Sequence, residues 1–455
     1  MAQFRIKLIA PDDSEQELLY DNQTSRLTWV GDAGEQPVLE VTPKQFSEAQ
    51  VVSANNPGRK GLIKTLKISL GLSCNYACNY CSQRFVPHAD STNPSDVDDF
   101  LQLVQGSLSK APERIEFWGG EPLVYIKTLK PLAEHLRVLY PDAEFLMITN
   151  GSLLTLEINE WLEQMGFAIG LSHDGPGYRA RGADPLDDPH QRQMILDLYT
   201  RLHPKGRISI NAMISKQNSS RAAVQLWLQE RFGADVQIGE GAFIDPYDEG
   251  GLAATYKTAR EHSAFRTQGF GELRAGLTGR FEITHQKIQD FIDSIRFARP
   301  ASALGQKCGM DRSANLAVDL KGNVITCQNV SAAATAPNGQ PHLIGQLSDL
   351  AGVQMKTATH WSQRRQCASC PVLQLCKGSC MFLEGPLWEA GCDAAYSDNV
   401  VFFAAAIEFL TGCMPVFIDG DLPPDRKDIF GLARSKAVSP GPRKVIPIAL
   451  DQRPA

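Results

Sequence analysis

Cys74, Cys78 and Cys81 stand in the run Gly71-Leu-Ser-Cys-Asn-Tyr-Ala-Cys-Asn-Tyr-Cys, a C-x3-C-x2-C spacing. Three thiolates this close can wrap one iron–sulfur cluster, which ordinarily takes four cysteines. Three leave one iron without a protein ligand, and an open position is what separates a reactive metal site from a structural one. A zinc knuckle is the competing reading. Zinc wants four ligands, however, and the nearest histidine is His88. A disulfide framework fits an odd triplet poorly.

The 455-residue chain is long enough for more than one domain and a large core. With 43% apolar and 21% charged residues it has the composition of a globular protein. Its net charge of −6 leaves no basic surplus for nucleic acid. The start, Met-Ala-Gln-Phe-Arg-Ile-Lys, lacks a signal-peptide core. The apolar stretch Val400 to Leu410 is too short to span a membrane and contains Glu408. A cytoplasmic location is expected, and eleven cysteines there argue for metal rather than disulfides.

A second cysteine group follows. Cys308 and Cys327 flank Gly322 as C-x13-G-x4-C. Then Cys367, Cys370, Cys376 and Cys380 form C-x2-C-x5-C-x3-C, and Cys392 closes the series. Seven cysteines are a poor count for one or two zinc ions. Lys321-Gly322, between Asn315-Leu-Ala-Val-Asp-Leu and Asn323-Val-Ile-Thr-Cys, predicts a hairpin with a two-residue turn. Cys367 and Cys370 are expected in a loop, and a helix from Tyr396 to Leu410. Cys413 reads as a buried apolar thiol.

From Thr65 onward strands and helices alternate. Strands are expected at Leu66–Leu70, Arg114–Trp118, Glu144–Thr149, Ala168–Ser172, Arg207–Ile214 and Asp235–Gly239. Helices are expected at Val97–Leu108, Ile126–Leu139, Leu156–Met165, His190–Leu202 and Arg221–Glu230, which implies a parallel sheet. Further helices are expected near Ala254–Arg266 and His285–Arg296.

The first triplet resembles the signature of the radical S-adenosylmethionine (SAM) enzymes, and the second group resembles their SPASM extension. The resemblance implies an α/β fold with a partial (β/α)6 barrel at 64–241. It implies a SPASM domain at 305–395, while the residues themselves predict an N-terminal β-rich segment at 1–63, a helical bridge at 242–304 and a helix with a proline-rich tail at 396–455. It implies a [4Fe–4S] cluster on Cys74, Cys78 and Cys81 whose open iron holds SAM, cleaved to a 5′-deoxyadenosyl radical. One auxiliary cluster would take Cys308, Cys327 and Cys380. A second would take Cys367, Cys370, Cys376 and Cys392. No cysteine lies between Cys81 and Cys308 to complete the first auxiliary set.

The segments that follow the strands carry the other implied contacts. Gly119, Gly120 and Glu121, in Phe117-Trp-Gly-Gly-Glu-Pro, match the site for the methionine amine. Asn150, Ser172 and Asp174 match contacts to the ribose and carboxylate, and Tyr80 matches an aromatic near adenine. Either Arg179 or Arg181 matches a carboxylate-binding arginine. Taken from the residues alone, Gly-Gly-Glu-Pro, Asn-Gly and Asp-Gly are turn sequences, and Tyr80 is a packing residue.

The implied activity is hydrogen abstraction from a peptide or protein. An intramolecular thioether or carbon–carbon crosslink is the first expectation and sulfatase activation the second. An iron–sulfur scaffold that cleaves no SAM is the alternative from another class. In sulfatase-maturing relatives an aspartate follows the cysteine matched by Cys327. Here Gln328 stands there, and an amide takes no proton at neutral pH. Implied partners are a leader-bearing peptide and an electron donor such as a flavodoxin or ferredoxin, with no nucleic acid and no membrane. The alternating N-terminal segments Phe4–Leu8, Gln16–Tyr20 and Arg26–Val30 predict an antiparallel sheet whose edge could dock an extended peptide.

Overall fold

A computed structural model describes residues 3–31, 34–89 and 92–431. The chain opens on the strands β1 (Gln3–Ile9), β2 (Glu15–Asp21), β3 (Arg26–Gly31) and β4 (Gly34–Pro37). Along β1, Phe4, Ile6 and Leu8 are buried while Gln3, Arg5 and Lys7 face water, the two-residue period of a half-buried strand.

The parallel strands are β5 (Thr65–Ser69), β6 (Arg114–Trp118), β7 (Glu144–Thr149), β8 (Phe167–Ser172), β9 (Ile208–Asn211) and β10 (Ile238–Glu240). Between them run α1 (Val97–Ser107), α2 (Ile126–Leu139), α3 (Leu156–Gln164), α4 (Pro189–Leu202) and α5 (Arg221–Phe232). Thr155, Asp188 and Ser220 start α3, α4 and α5 by accepting from the backbone N–H groups of Ile158, Gln191 and Ala223. β9 stops before the expected Ile214, because the N–H of Met213 turns to Asp174 Oδ1 at 3.0 Å. Phe117, Phe145 and Phe167 point outward from successive strands and pack with ring centroids 5.3–5.5 Å apart. Their neighbours Trp118, Ile148 and Ser172 have the opposite parity and line the interior cavity.

The bridge consists of α6 (Glu249–Ala253), α7 (Ala259–Arg274) and α8 (Glu282–Arg296). α7 begins later than the expected Ala254, where Thr258 and Glu261 form a reciprocal cap. Next come β11 (Asn315–Asp319), β12 (Asn323–Ile325) and β13 (Leu343–Gln346). The hairpin turn holds three residues, not the expected two. The Gly322 N–H donates to Asp319 O at 3.0 Å, and Gly322 adopts φ +78°, the geometry of a turn closed by a left-handed residue.

Short helices α9 (Arg365–Ala368) and α10 (Leu373–Cys376) precede α11 (Gly385–Thr411). Cys367 therefore lies on a helical turn rather than in a loop. α11 starts at Gly385 instead of Tyr396, with Pro386 in its first turn, so Cys392 is helical. β14 (Met414–Asp419) and α12 (Pro424–Lys427) end the described chain. The proline-rich tail is thus ordered as a strand and a helical turn up to residue 431. The Ser439-Pro-Gly-Pro part of that expectation lies outside the described residues.

Two sheets result, with strand orders β14-β1-β2-β3-β4 and β10-β9-β8-β7-β6-β5-β11-β12-β13. β5 pairs parallel with both β6 and β11, so the barrel and the cysteine-rich hairpin share one sheet. The small sheet takes its fifth strand from the C-terminal side and packs on α8 and α11. There Tyr20, Phe291 and Phe403 meet with centroids 5.0–5.7 Å apart. On α11, buried Asp398 accepts from Arg221 of α5 at 2.6 Å and lies 3.5 Å from Lys287 of α8, which ties three units together. Among the described residues no helix is long and apolar enough to cross a membrane.

Phe403 is fully buried at this junction, whereas Phe409 on the same helix is 77% exposed. Phe403→Ala should lower unfolding stability by about 3–5 kcal/mol in chemical denaturation. Phe409→Ala should stay within about 0.5 kcal/mol of the parent.

Candidate functional site

Backbone contacts from three neighbouring loops fix the cysteine loop after β5. Leu70 N–H donates to Trp118 O at 2.7 Å, Gly120 N–H to Gly71 O at 3.0 Å, and Glu121 N–H to Ser73 O at 3.0 Å. Ser73 N–H donates to the Tyr125 hydroxyl at 2.8 Å. A Cβ at Gly120 would collide with the carbonyl oxygens of Leu72 and Ser73, and one at Gly119 would come 3.0 Å from Gly71 O. The glycine pair therefore exists for close approach of the cysteine loop. Asn75 Oδ1 accepts from Asn150 Nδ2 at 2.9 Å, and Asn79 N–H donates to Ala180 O at 2.9 Å.

This loop forms one wall of a cavity of about 750 Å³ lined by Cys74, Cys78 and Cys81. Tyr80, Gly120, Glu121, Asn150, Ser172 and Arg181 also line it. Gly119, Asp174 and Arg179 are not among its lining residues. Gly119 is spent on backbone packing. Asp174 is fully buried behind the wall, where it accepts from the Tyr80 hydroxyl and from Met213 N–H and lies 3.8 Å from Arg181. Arg179 points to solvent against the Tyr178 ring. Arg181 is the arginine that reaches the cavity.

Glu121 is 2% exposed and accepts from Leu123 N–H at 3.1 Å, the Thr149 hydroxyl at 2.7 Å and Asn150 N–H at 2.7 Å. Burial pushes its carboxyl pKa up, against the pull of those donors. An ionised carboxylate offers about four acceptor positions, so roughly one remains for a ligand cation.

The same cavity extends to Asp245, Tyr247, Lys307, Gln328 and Asn329. These residues adjoin the second cysteine group. The Cys327 thiol lies 3.6 Å from Gln328 Oε1, and Ser379, beside Cys380, donates to Asp245. Lys307 Nζ is 3.8 Å from the other Asp245 oxygen. Trp118 donates to Glu116 at 2.8 Å, and Glu116 forms a buried 2.5 Å ion pair with Lys67. Motif spacing could not find Asp245 and Tyr247. Lys67 and Glu116 did leave a trace, as lone charges at register-matched positions of two buried parallel strands.

The thiols influence one another in the sets that the resemblance implies. Burial raises the Cys78 pKa to about 11, with Cys81 and Cys74 adding to the rise. Cys327 is pushed up to about 12 by burial and then by Cys308 and Cys380. Burial likewise takes Cys370 and Cys380 to about 12. Cys367 is raised by burial and by Cys376, Cys392 and Cys370. Crowded buried thiols stay protonated unless a cation joins them, and metal ligation deprotonates a thiol outright. Among the described residues, no three His, Cys, Asp or Glu side chains close on the point one metal ion would occupy.

The donor chemistry fits iron–sulfur clusters. Gln306 adds to the fit: it is 2% exposed, its amide nitrogen and oxygen have no protein partner, and it lies against Gly378 between Cys376 and Cys380. A polar group buried that deeply calls for a partner. A buried cation beside the second auxiliary set is Arg426 of α12, whose Nη2 is 3.4 Å from Cys392 Sγ. Cys413 is buried and donates weakly to Thr411 O at 3.6 Å.

Comparison with known proteins agrees with this geometry. Residues 68–218 match the profile of the Radical SAM superfamily. The radical SAM cyclopropyl synthase TigE of Paramaledivibacter caminithermalis is 22% identical over 367 residues, covering 70% of this chain and 68% of that protein. The serine-type anaerobic sulfatase-maturating enzyme of Klebsiella aerogenes is 24% identical over 373 residues, covering 73% and 83%. The solved structure of native anSMEcpe with bound AdoMet and Cp18Cys peptide superposes with a TM-score of 0.54 at 17% identity, covering 76% of this chain and 99% of that one. The three-cysteine loop at the head of a parallel barrel and the matched profile agree: this chain carries a radical SAM domain, of the superfamily that binds a [4Fe–4S] cluster and SAM.

Proposed function

We propose that this chain is a SPASM-type radical SAM maturase of peptides or proteins that closes an intramolecular thioether or carbon–carbon crosslink. One observation carries the reading: a single cavity runs from Cys74, Cys78 and Cys81 to the residues beside Cys308, Cys327 and Cys380. A substrate side chain in it would lie between the SAM-cleaving site and an auxiliary cluster. The bound cluster and SAM supply the hydrogen-abstracting radical chemistry. In this reading Glu121 takes the SAM ammonium on its remaining acceptor position, Arg181 takes the carboxylate, and Ser172 and Asn150 line the ribose side. Asp174 positions Tyr80 and Arg181 from behind the wall. The set of Cys308, Cys327 and Cys380 has three thiols, which leaves an iron to which a substrate thiolate could bind. Edge strand β4, exposed along its length, is the place where a leader would add as a strand.

Asp245 supports a second reading. A carboxylate on the cavity wall beside the Cys380 turn could receive a proton in place of the aspartate that Gln328 displaces, as sulfatase activation would need. The sulfatase-maturating names among the relatives support it as well.

Reduced enzyme given SAM and a short peptide encoded beside its gene should form 5′-deoxyadenosine and a peptide lighter by two hydrogens. Tandem mass spectrometry should show the two modified residues joined. A product that instead reacts with a hydrazide probe carries an aldehyde and establishes the second reading. Unchanged peptide mass alongside deoxyadenosine formation on that peptide rules out both for it.

The two arginines separate cleanly. Arg181→Leu should weaken SAM binding about 10- to 100-fold, the cost of losing one charged hydrogen-bond donor, measured by equilibrium dialysis of reconstituted protein. Arg179→Leu should bind like the parent. Equal losses in both variants would remove Arg181 from the SAM site.

A further inference from the structure

Arg426 belongs to neither cysteine motif. It sits on α12, after β14 has joined the N-terminal sheet, and its guanidinium is nevertheless buried beside the second auxiliary thiol set. Nη2 donates to Cys392 Sγ at 3.4 Å and pairs with Asp393 at 2.5 Å. The Arg426 carbonyl accepts from the buried Tyr396 hydroxyl at 2.6 Å, and its guanidinium lies 4.8 Å over the Tyr396 ring. The segment is anchored by Ile429 N–H to Val416 O at 3.1 Å and by a bridge between Asp428 and Phe417. The guanidinium is therefore held in place rather than swinging from the surface. Its partner Asp393 is half exposed, so water screens that carboxylate more than it screens the arginine.

We infer that Arg426 is a positioning residue that donates a charge-assisted N–H···S bond to Cys392 and holds the second auxiliary cluster at a raised reduction potential. The inference rests on the reading that Cys367, Cys370, Cys376 and Cys392 carry an iron–sulfur cluster. One-electron reduction adds one negative charge to a cluster already surrounded by four thiolates. A fixed cation bonded to one of those sulfurs stabilises the reduced form more than the oxidised form. Hydrogen bonds to the sulfurs and local charge are among the terms that set such potentials.

The test is an EPR-monitored redox titration of the reconstituted full-length chain. Cys74, Cys78 and Cys81 are replaced by Ala so that auxiliary signals stand alone. Arg426→Met should move one auxiliary midpoint to a more negative potential and leave the other in place. Arg426→Lys should shift it less. Asp393→Asn, which frees the guanidinium, should move the same midpoint the opposite way; a purely structural role would not reverse sign. Full iron content with both midpoints unmoved in Arg426→Met overturns the proposal while leaving the cluster reading intact. Iron for no second auxiliary cluster in the parent overturns the cluster reading and this proposal together. Should Arg426→Met fail to fold, pulsed EPR on parent protein labelled with 15N-arginine decides. A nitrogen coupling on the reduced cluster, absent in Arg426→Lys, upholds the bond, and no coupling in the parent overturns it.

Discussion

β5 is the strand on which the arrangement depends. Residues 65–69 pair in register with β6 on one side and with β11 on the other. The loop that leaves β5 carries Cys74, Cys78 and Cys81, and β11 begins shortly after Cys308 and leads through its hairpin to Cys327. Two cysteine sites far apart in sequence are therefore referenced to one backbone ladder. A one-residue slip in that ladder would turn every inward side chain outward. It would separate Lys67 from Glu116, remove Trp118 from the cavity wall and break the continuity of the cavity. The buried Asp398 network with Arg221 and Lys287 braces the same arrangement from behind, where unpairing one charge would leave the others stranded in the core.

Ten of the eleven cysteines lie in three groups, and their neighbours are suited to different tasks. Around Cys74, Cys78 and Cys81 the polar groups are set out as ligand contacts: Glu121 has an acceptor position spare, and Arg181 is held by Tyr80 and Asp174. Around the four-thiol set the groups are closed: Arg426 caps Cys392, and nothing from that set opens on the large cavity. Beside the three-thiol set, Tyr247, Lys307 and Gln328 line the cavity. A site open to the cavity, a site bordering it and a site closed from it thus follow one another across the molecule.

The first cysteine set was legible because one short loop holds Cys74, Cys78 and Cys81, and local chain geometry is written in local sequence. Most barrel strands and helices were legible for a similar reason, since buried parallel strands are short apolar runs and helices start at Ser, Thr or Asp. What sequence could not decide depended on tertiary placement. Arg179 and Arg181 sit two apart on a tight turn, and only the packing of Tyr80 and Asp174 selects which one points inward. β14 was hidden because Pro415 and the nearby Pro423 and Pro424 read as tail, although an edge strand tolerates a proline. The start of α11 is not legible from sequence, since Gly385-Pro386 has turn composition, yet proline suits the first turn of a helix. Asp245, Tyr247 and Arg426 follow no motif, and their relevance comes from what the fold brings beside them.

The cavity chemistry constrains the reaction more than the fold does, since one fold hosts many substrates. Removing two hydrogens from a substrate requires one abstraction, one proton acceptor and one electron acceptor. The cavity holds an ionisable carboxylate in Asp245, but its oxygens already serve Ser379 and Lys307. Gln328 lies beside Cys327 and carries an amide, which takes no proton at neutral pH and, unlike a carboxylate, does not repel a thiolate, so the side chain nearest that thiol is neutral.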